Sequence, residues 1–242
     1  LSFLYPLVWM FLMSLKTSKE IYNNPFGLPE TIELSNYSNA LKTFSFLNLF
    51  SNSIVYSIGT IVITIILASM FSYCVARMNW RYGKAAMTYV ALGLIIPVQV
   101  VIIPIFMLLK TLNIRNTYLG LILPYAAFAL SSATLMLYAF FRTLPKELEE
   151  AACIDGCNIY KAFRLIILPI IRPAIVTQVV IIFMNIWNEF FMAFILVTSA
   201  KMKSLPIGLM NFFMNIGTTQ WGQIGAAMVL CSIPTIMIYV IF

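Results

Sequence analysis

Histidine is absent from the 242 residues, charged side chains make up only 10% of them, and no G-x-x-x-x-G-K-[ST] phosphate loop occurs. Each absence excludes a class of chemistry. Without histidine there is no imidazole metal site and no histidine proton relay. Cys153 and Cys157, four apart in a polar stretch, do not make a zinc site by themselves, and unpaired thiols in a reducing cytosol is the plainer reading. The one Gly-Lys pair, Gly83 and Lys84, has Met78 where the first glycine of a phosphate loop would stand, so this chain does not bind ATP that way. No two acids share an apolar run, which leaves an acid/base hydrolase without its parts and the chain without a catalytic residue or metal ligand. The net charge of +7 is spread over every loop, a distribution that fits membrane topology and anionic headgroups rather than nucleic acid.

What is present is hydrocarbon: 62% of residues are hydrophobic and the mean hydropathy is +0.94, far outside the soluble globular range. A helical span needs about 20 apolar residues. Uncharged runs of that length lie at Ile54 to Ala76, Ala85 to Leu109 and Asn116 to Phe141. A fifth span is read near Ala174 to Thr198, interrupted only by Glu189, and a sixth near Trp221 to Phe242. The opening Leu1 to Leu15 is apolar but short and reads as the outer part of a span whose start is missing. Lipid offers the backbone no hydrogen bonds, so runs like these are helices. The expectation is an all-α, multi-pass membrane protein of six transmembrane helices, the first truncated, forming a single domain over residues 1–242 with no internal repeat.

Basic residues are divided almost evenly between the two sides, but short loops weigh most. The tight link from Arg77 to Lys84 carries three basic residues and no acid, whereas the segment from Lys16 to Lys42 mixes its basic residues with Glu20, Glu30 and Glu33. That asymmetry places the link, and with it the polar stretch Glu149 to Pro169, in the cytosol. Segments 17–51 and 199–220 are then outer loops. In the second of these, Gly208, Asn211, Asn215, Gly217, Gln220 and Gly222 read as loop.

The stretch EEAACIDGCNIYKAFRLIILP holds the densest mixture of charges in the chain. Pro145 suits a first helical position, Glu147, Glu149 and Glu150 follow at the positive end of the helix dipole, and Gly156 offers a left-handed stop. These signals predict a helix of about three turns, roughly 16 Å long. Leu148, Ala151, Ala152 and Asp155 recur at helical spacing as a face of mostly small groups. Asn158 caps a second short helix whose apolar face is Ile159, Phe163, Ile166 and Ile167, with Lys161 and Arg164 pointing elsewhere and Pro169 ending it. Such a surface invites a soluble partner.

Glu150, Ala151, Ala152, Gly156, Ile166, Leu168 and Pro169 stand at the spacing of the EAA loop, and the chain thereby resembles the permease subunits of ABC importers. The likeness runs through "LYPLVWMFLMSLK", Asn36 and Tyr37, Asn52 and Ser53, "WNEFFMAFILVTS" and "GQIGAAMVLCSIPTIMIYVIF", which are similar to the second permease subunit of maltose-type carbohydrate importers. Such subunits continue past the last span into a cytosolic tail, whereas this chain stops at Phe242. The resemblance implies a type I importer permease (MetI-like) fold, with residues 145–172 as a cytosolic coupling loop seated on an ATP-binding subunit. Glu150, Ala151, Ala152, Asp155, Gly156, Arg164, Ile166, Leu168 and Pro169 would be the coupling residues. It implies two ATP-binding subunits, which bind ATP and Mg so that this chain needs no cofactor, a non-identical second permease in the cell membrane, and an extracytoplasmic binding protein delivering a sugar or oligosaccharide. A permease for a non-sugar solute and an ATPase-independent channel or scaffold remain the alternatives.

A charge inside a span costs about 2.5 to 3.5 kcal/mol and calls for a reason. Gln178, Asn185, Asn188, Glu189 and Met192 share one helical face, which serves either as a pathway wall or as interhelical hydrogen bonding, with Glu189 at the outer interface in the second case. In the third span Pro97, Gln99 and Pro104 interrupt the helix and free carbonyls, for a pathway or for packing. Lys201 and Lys203 are contacts for the binding protein or ordinary solvated loop residues.

Overall fold

The structure, a computed structural model, describes residues 4–42, 45–214 and 220–241. Leu1, Phe242, and Asn215 and Gly217 of the second outer loop therefore lie outside the described residues. Along the chain run α1 (Tyr5–Ser14), α2 (Ser18–Asn23), α3 (Ser35–Lys42), α4 (Phe46–Arg77), α5 (Gly83–Leu92), α6 (Val98–Thr111) and α7 (Tyr118–Thr143). There follow α8 (Glu147–Ile154), α9 (Ile159–Ala162), a π-helical turn at Phe163–Ile167, α10 (Leu168–Ile170), α11 (Arg172–Trp187), α12 (Phe191–Leu196), a 3-10 turn at Ala200–Met202, α13 (Leu205–Met214) and α14 (Trp221–Ile241). Among the described residues there is no strand.

Three helices, α4, α7 and α14, are each long and apolar enough to cross a membrane, and the pair Ile159–Ile170 and Arg172–Trp187, bent by 72°, makes a fourth candidate if taken as one span. Tyr5–Ser14 and Val98–Thr111 are shorter apolar helices. The expected span from Ala85 to Leu109 is broken. Gly93 closes α5 where an added Cβ would lie 2.3 Å from Ser131 Oγ, and Pro97, with an extended ψ of 134°, precedes α6. Of the three residues expected to interrupt the helix only Pro97 stands at the break; Gln99 sits in the first turn of α6 and Pro104 lies inside it.

The expected span from Ala174 to Thr198 is also in two pieces, because α11 ends at Trp187 and α12 begins at Phe191. The loop reading around Gly208 gives way to α13. Gly208 is there for close approach rather than a turn, since a Cβ would lie 2.1 Å from Leu49 Cδ1.

The chain forms two compact units, Leu1–Val55 with Asn116–Tyr118 and Trp187–Phe242, and Tyr56–Arg115 with Leu119–Ile186. In the first, α1 and α3 pack on α14, where Gly222 and Gly225 admit the α1 terminus: a Cβ on Gly225 would lie 3.0 Å from Ser14 N. Asn36 Nδ2 donates to Ser14 O (3.0 Å) and Lys16 O (2.9 Å), satisfying carbonyls that a helix end leaves orphaned. Lys16, expected as an outer-loop charge, is fully buried, and its Nζ donates to Asn24 O (2.8 Å), the C-cap of α2, where a cation is favoured.

In the second unit the core is Ala68, Tyr73, Ala133, Leu137, Phe141, Ile167, Ile171, Ala174 and Ile182. Lipid is as apolar as leucine, so close packing across small residues, here Ala68, Ala133 and Ala174, replaces the hydrophobic effect as the main attraction. Ser72 Oγ donates to Thr134 O (2.8 Å) across the same contact.

Candidate functional site

The polar stretch folds from local signals. Lys146 O accepts from Glu149 N (3.0 Å) and Glu150 N (3.2 Å), and the first turn of α8 carries Glu147, Glu149 and Glu150. At the other end Cys157 N donates to Ala152 O (2.9 Å) and Gly156 N to Cys153 O (3.1 Å), a Schellman closure with Gly156 at φ +77°. That closure and the position of Pro145 outside the helix leave α8 eight residues, about 12 Å rather than three turns. Asn158 Oδ1 then accepts from Lys161 N (2.9 Å) and caps α9. Pro169 does not end that arm. It opens α10, where a missing N–H is tolerated, and the bend falls at Ile171.

The expected coupling residues divide between two directions. Ala152 is buried and Ile166 and Leu168 are half-buried against the core, as are their neighbours Leu148 and Phe163, the latter with its ring tilted 4.7 Å from that of Tyr73. Glu150, Ala151, Asp155, Gly156, Arg164 and Pro169 are exposed. Four exposed positions on α8, Glu147, Glu150, Ala151 and Ile154, follow helical spacing, and Ile154, 87% exposed, is an aliphatic knob beside two acids and a small residue.

Sequence reasoning missed the residue that fixes α8. Arg77, the last residue of α4, donates from Nε to Glu149 Oε1 (2.9 Å) and Oε2 (3.0 Å), and from Nη2 to Oε2 (2.5 Å). Its Nη2 also reaches Pro145 O (3.0 Å), and its Nη1 reaches Leu144 O (2.8 Å) and Phe141 O (3.4 Å). The pair is largely dry, with side chains 6% and 21% exposed. Nothing in one sequence links positions 72 apart; an arginine closing a long apolar helix was the available hint.

The pathway candidates differ in their surroundings. Gln99 and Asn185 are exposed, while Gln178 is buried, donates to Met136 Sδ and leaves its Oε1 without a partner among the described residues. Asn188, in the break after α11, lines an apolar cavity of about 290 Å³ with Met10, Trp187, Leu205, Met228 and Cys231. The Glu189 carboxylate accepts from Met192 N (2.7 Å) and Ala193 N (3.1 Å), so its charge caps α12. That break removes the single continuous face expected through Met192.

Lys201 and Lys203 are held by their backbones. Asn52 Nδ2 donates to both carbonyls (2.8 and 2.9 Å), Asn48 Nδ2 to that of Lys201 (3.0 Å), and Tyr118 Oη donates to Asn52 Oδ1 (2.9 Å). Asn116 Oδ1 accepts from Thr198 N (2.8 Å) and Ser199 N (3.0 Å). The Lys201 side chain stays exposed and that of Lys203 half-buried.

Residues 60–242 match the family model described as binding-protein-dependent transport system inner membrane component. The chain belongs to this family. It is 33% identical over 239 residues to a diacetylchitobiose uptake system permease protein of Streptomyces coelicolor, covering 98% of this chain and 79% of that one. It is 32% identical to a trehalose transport system permease protein of Mycobacterium tuberculosis (99% and 87% covered), and 30% identical to a trehalose/maltose transport system permease protein of Thermococcus litoralis (99% and 86%). A solved bacterial ABC transporter that imports the acidic polysaccharide alginate superposes with a TM-score of 0.88 at 22% identity, over 99% of this chain and 89% of its counterpart, which shows the fold. This family member is thus an all-helical, multi-pass membrane component of a transport system, and its match includes the whole of the α8 to α11 arm.

Proposed function

We propose that this chain is one permease subunit of an ATP-driven importer and forms half of the pathway for a sugar or oligosaccharide. An extracytoplasmic binding protein delivers the solute, a homologous second permease completes the pathway, and two ATP-binding subunits bind ATP and Mg and carry out hydrolysis. The observation that carries this reading is α8, a capped helix whose Glu150, Ala151, Ile154 and Asp155 are turned outward beside the Gly156 corner. In the proposed topology α8 lies in the cytosol, and six spans are supplied by α1, α4, broken α5 and α6, α7, broken α11 and α12, and α14, within a single transmembrane domain. Lys201 and Lys203, on a turn fixed from Asn48 and Asn52, meet the binding protein. Gln99, Gln178, Asn185 and Asn188 contribute polar groups to the pathway, and Glu189 caps the second piece of the broken helix.

The test is reconstitution in nanodiscs with the neighbouring transporter subunits, recording ATP hydrolysis with and without binding protein and a panel of oligosaccharides. Stimulation by one loaded binding protein, lost in Gly156→Asp with the complex still assembled, is the expected result. An intact complex stimulated by no sugar removes the carbohydrate assignment, and failure to hold an ATP-binding subunit removes the importer reading in favour of a channel or scaffold.

A further inference from the structure

A coupling helix can only transmit movement if something stiff joins it to the membrane helices. The connection from α7 to α8 is short, but its peptide units at Leu144, Pro145 and Lys146 lie outside both helices. The carbonyls at the end of α7 are the kind a helix terminus leaves without intrahelical partners. Left to water, that joint would bend.

We infer that Arg77 is the positioning residue that makes this joint rigid and carries displacement of α8 into the ends of α4 and α7. Its guanidinium is engaged on all three nitrogens: Nε and Nη2 grip the Glu149 carboxylate, while Nη1 and Nη2 take the carbonyls of Phe141, Leu144 and Pro145. One side chain therefore joins the last residue of α4, the end of α7 and the first turn of α8. A planar fork with five donors in fixed directions can do this, and a lysine ammonium cannot hold both oxygens of the carboxylate in that plane.

The neighbours on α8 divide the work. Glu149 turns inward to Arg77, whereas Glu150, one residue and about 100° further around the helix, is exposed. A push on the outward face is thus delivered to the next side chain, which is clamped. Behind the clamp Tyr73 packs edgewise on Phe141 at 5.6 Å and lies 4.7 Å from Phe163, so the arm beyond Gly156 is braced against the same two helices. The π-helical turn at Phe163–Ile167 keeps Ile167 in the core beneath it.

This inference rests on α8 docking to the ATP-binding subunit, and the experiment separates the two. The complete complex is reconstituted with Arg77→Gln, Arg77→Lys, Glu149→Gln, and the exchange of Arg77→Glu with Glu149→Arg, and solute moved per ATP hydrolysed is measured beside subunit content. The expected result is that solute per ATP falls roughly tenfold in Arg77→Gln and Glu149→Gln, the scale of a typical coupling energy. Arg77→Lys falls less and the exchange recovers part of the loss. A residue that only stabilises the fold lowers assembly, hydrolysis and transport together and leaves their ratio unchanged, and that outcome overturns the inference. If Arg77→Gln does not assemble, Glu149→Gln, close in shape to the native side chain, decides by the same ratio. Failure of the wild-type chain to retain an ATP-binding subunit overturns the docking reading and this one with it, whereas retention with wild-type ratios in both neutral variants overturns this one alone.

Discussion

Two segments outside the long helices are pinned by opposite chemistry. In the first unit residues 198–205 are tied by neutral groups: Asn48 and Asn52 hold the carbonyls of Lys201 and Lys203, Asn116 accepts from Thr198 and Ser199, and Ser53 Oγ accepts from Leu205 N at 2.8 Å. In the second unit α8 is tied by one ion pair that recruits carbonyls around it. The amide clamp grips backbone and leaves two lysine side chains for other partners, and its strength is divided among many bonds of about 0.5–1.5 kcal/mol net each. The ionic clamp concentrates its strength in one side chain. A distributed clamp suits a segment that has to present a fixed surface, and a concentrated one suits a segment that moves as a body.

Truncating one partner of the ion pair exposes that difference most sharply. Arg77→Ala takes the guanidinium from Glu149, leaving it the Tyr73 hydroxyl, and strips a donor from the Leu144 and Pro145 carbonyls in a largely dry site; a loss of about 3 kcal/mol is expected, toward the low end for buried pairs because Glu149 keeps some contact with water. The combined Arg77→Ala and Glu149→Ala variant loses less than Arg77→Ala alone, read as thermal unfolding in detergent. Additive losses instead of this recovery remove the contrast with the amide clamp. Asn52→Ala comes next, at about 2 kcal/mol, because Asn52 is 1% exposed and its removal takes the amide donor from the Lys203 carbonyl, one of two donors from that of Lys201, and an acceptor from Tyr118 Oη. Hydrogen exchange in that variant rises across 198–205 and not in α8; exchange that also rises in α8 shows that the two clamps are one cooperative element.

The two regions also differ in how far the sequence disclosed them. In the α8 arm the Gly156 corner, the Asn158 cap and the inward Ile166 and Ile167 were legible because each depends on residues within one or two turns. The residues that fix its position were not, since Arg77 meets Glu149 only after α4 and α7 have packed. Around 198–205 Asn52 and Ser53 carry part of the family likeness in the sequence, but their carbonyl and amide partners lie some 150 positions away. Lys16 and Gly208 misled for a shared reason. A lysine reads as solvated and a glycine as flexible until the fold supplies a helix terminus for the one and a crowding Leu49 for the other.

Gly156 tests whether the ionic clamp ends at α8 or extends through the corner. Its φ of +77° costs an ordinary residue about 1–2 kcal/mol, while an added Cβ would meet nothing within 4 Å, so the penalty is conformational and not steric. The expected order of stability is Gly, then Asn, then Ala, then Val, because asparagine tolerates the left-handed region and a β-branched residue does not. A ranking by side-chain size, with Asn below Ala, contradicts the conformational account and implies contacts that the corner acquires only in the assembled transporter.

The smallest expected effect on stability separates holding from docking. Ile154 is 87% exposed and belongs to neither clamp, so Ile154→Ala changes the unfolding free energy of this chain by about 0.5 kcal/mol or less, as surface substitutions do. A large, exposed aliphatic side chain is nonetheless the kind of anchor that fills a partner's pocket, and the same variant is expected to weaken retention of the ATP-binding subunit by roughly tenfold or more, corresponding to a loss above 1 kcal/mol. Co-purification and unfolding measured on one preparation give both numbers. A stability loss comparable to that of Asn52→Ala places Ile154 in the fold; unchanged retention makes the acidic groups around it, Glu147, Glu150 and Asp155, the contact instead. Only the expected pair, stability kept and partner lost, leaves α8 with an inward face that is held by Arg77 and an outward face that is free to be driven.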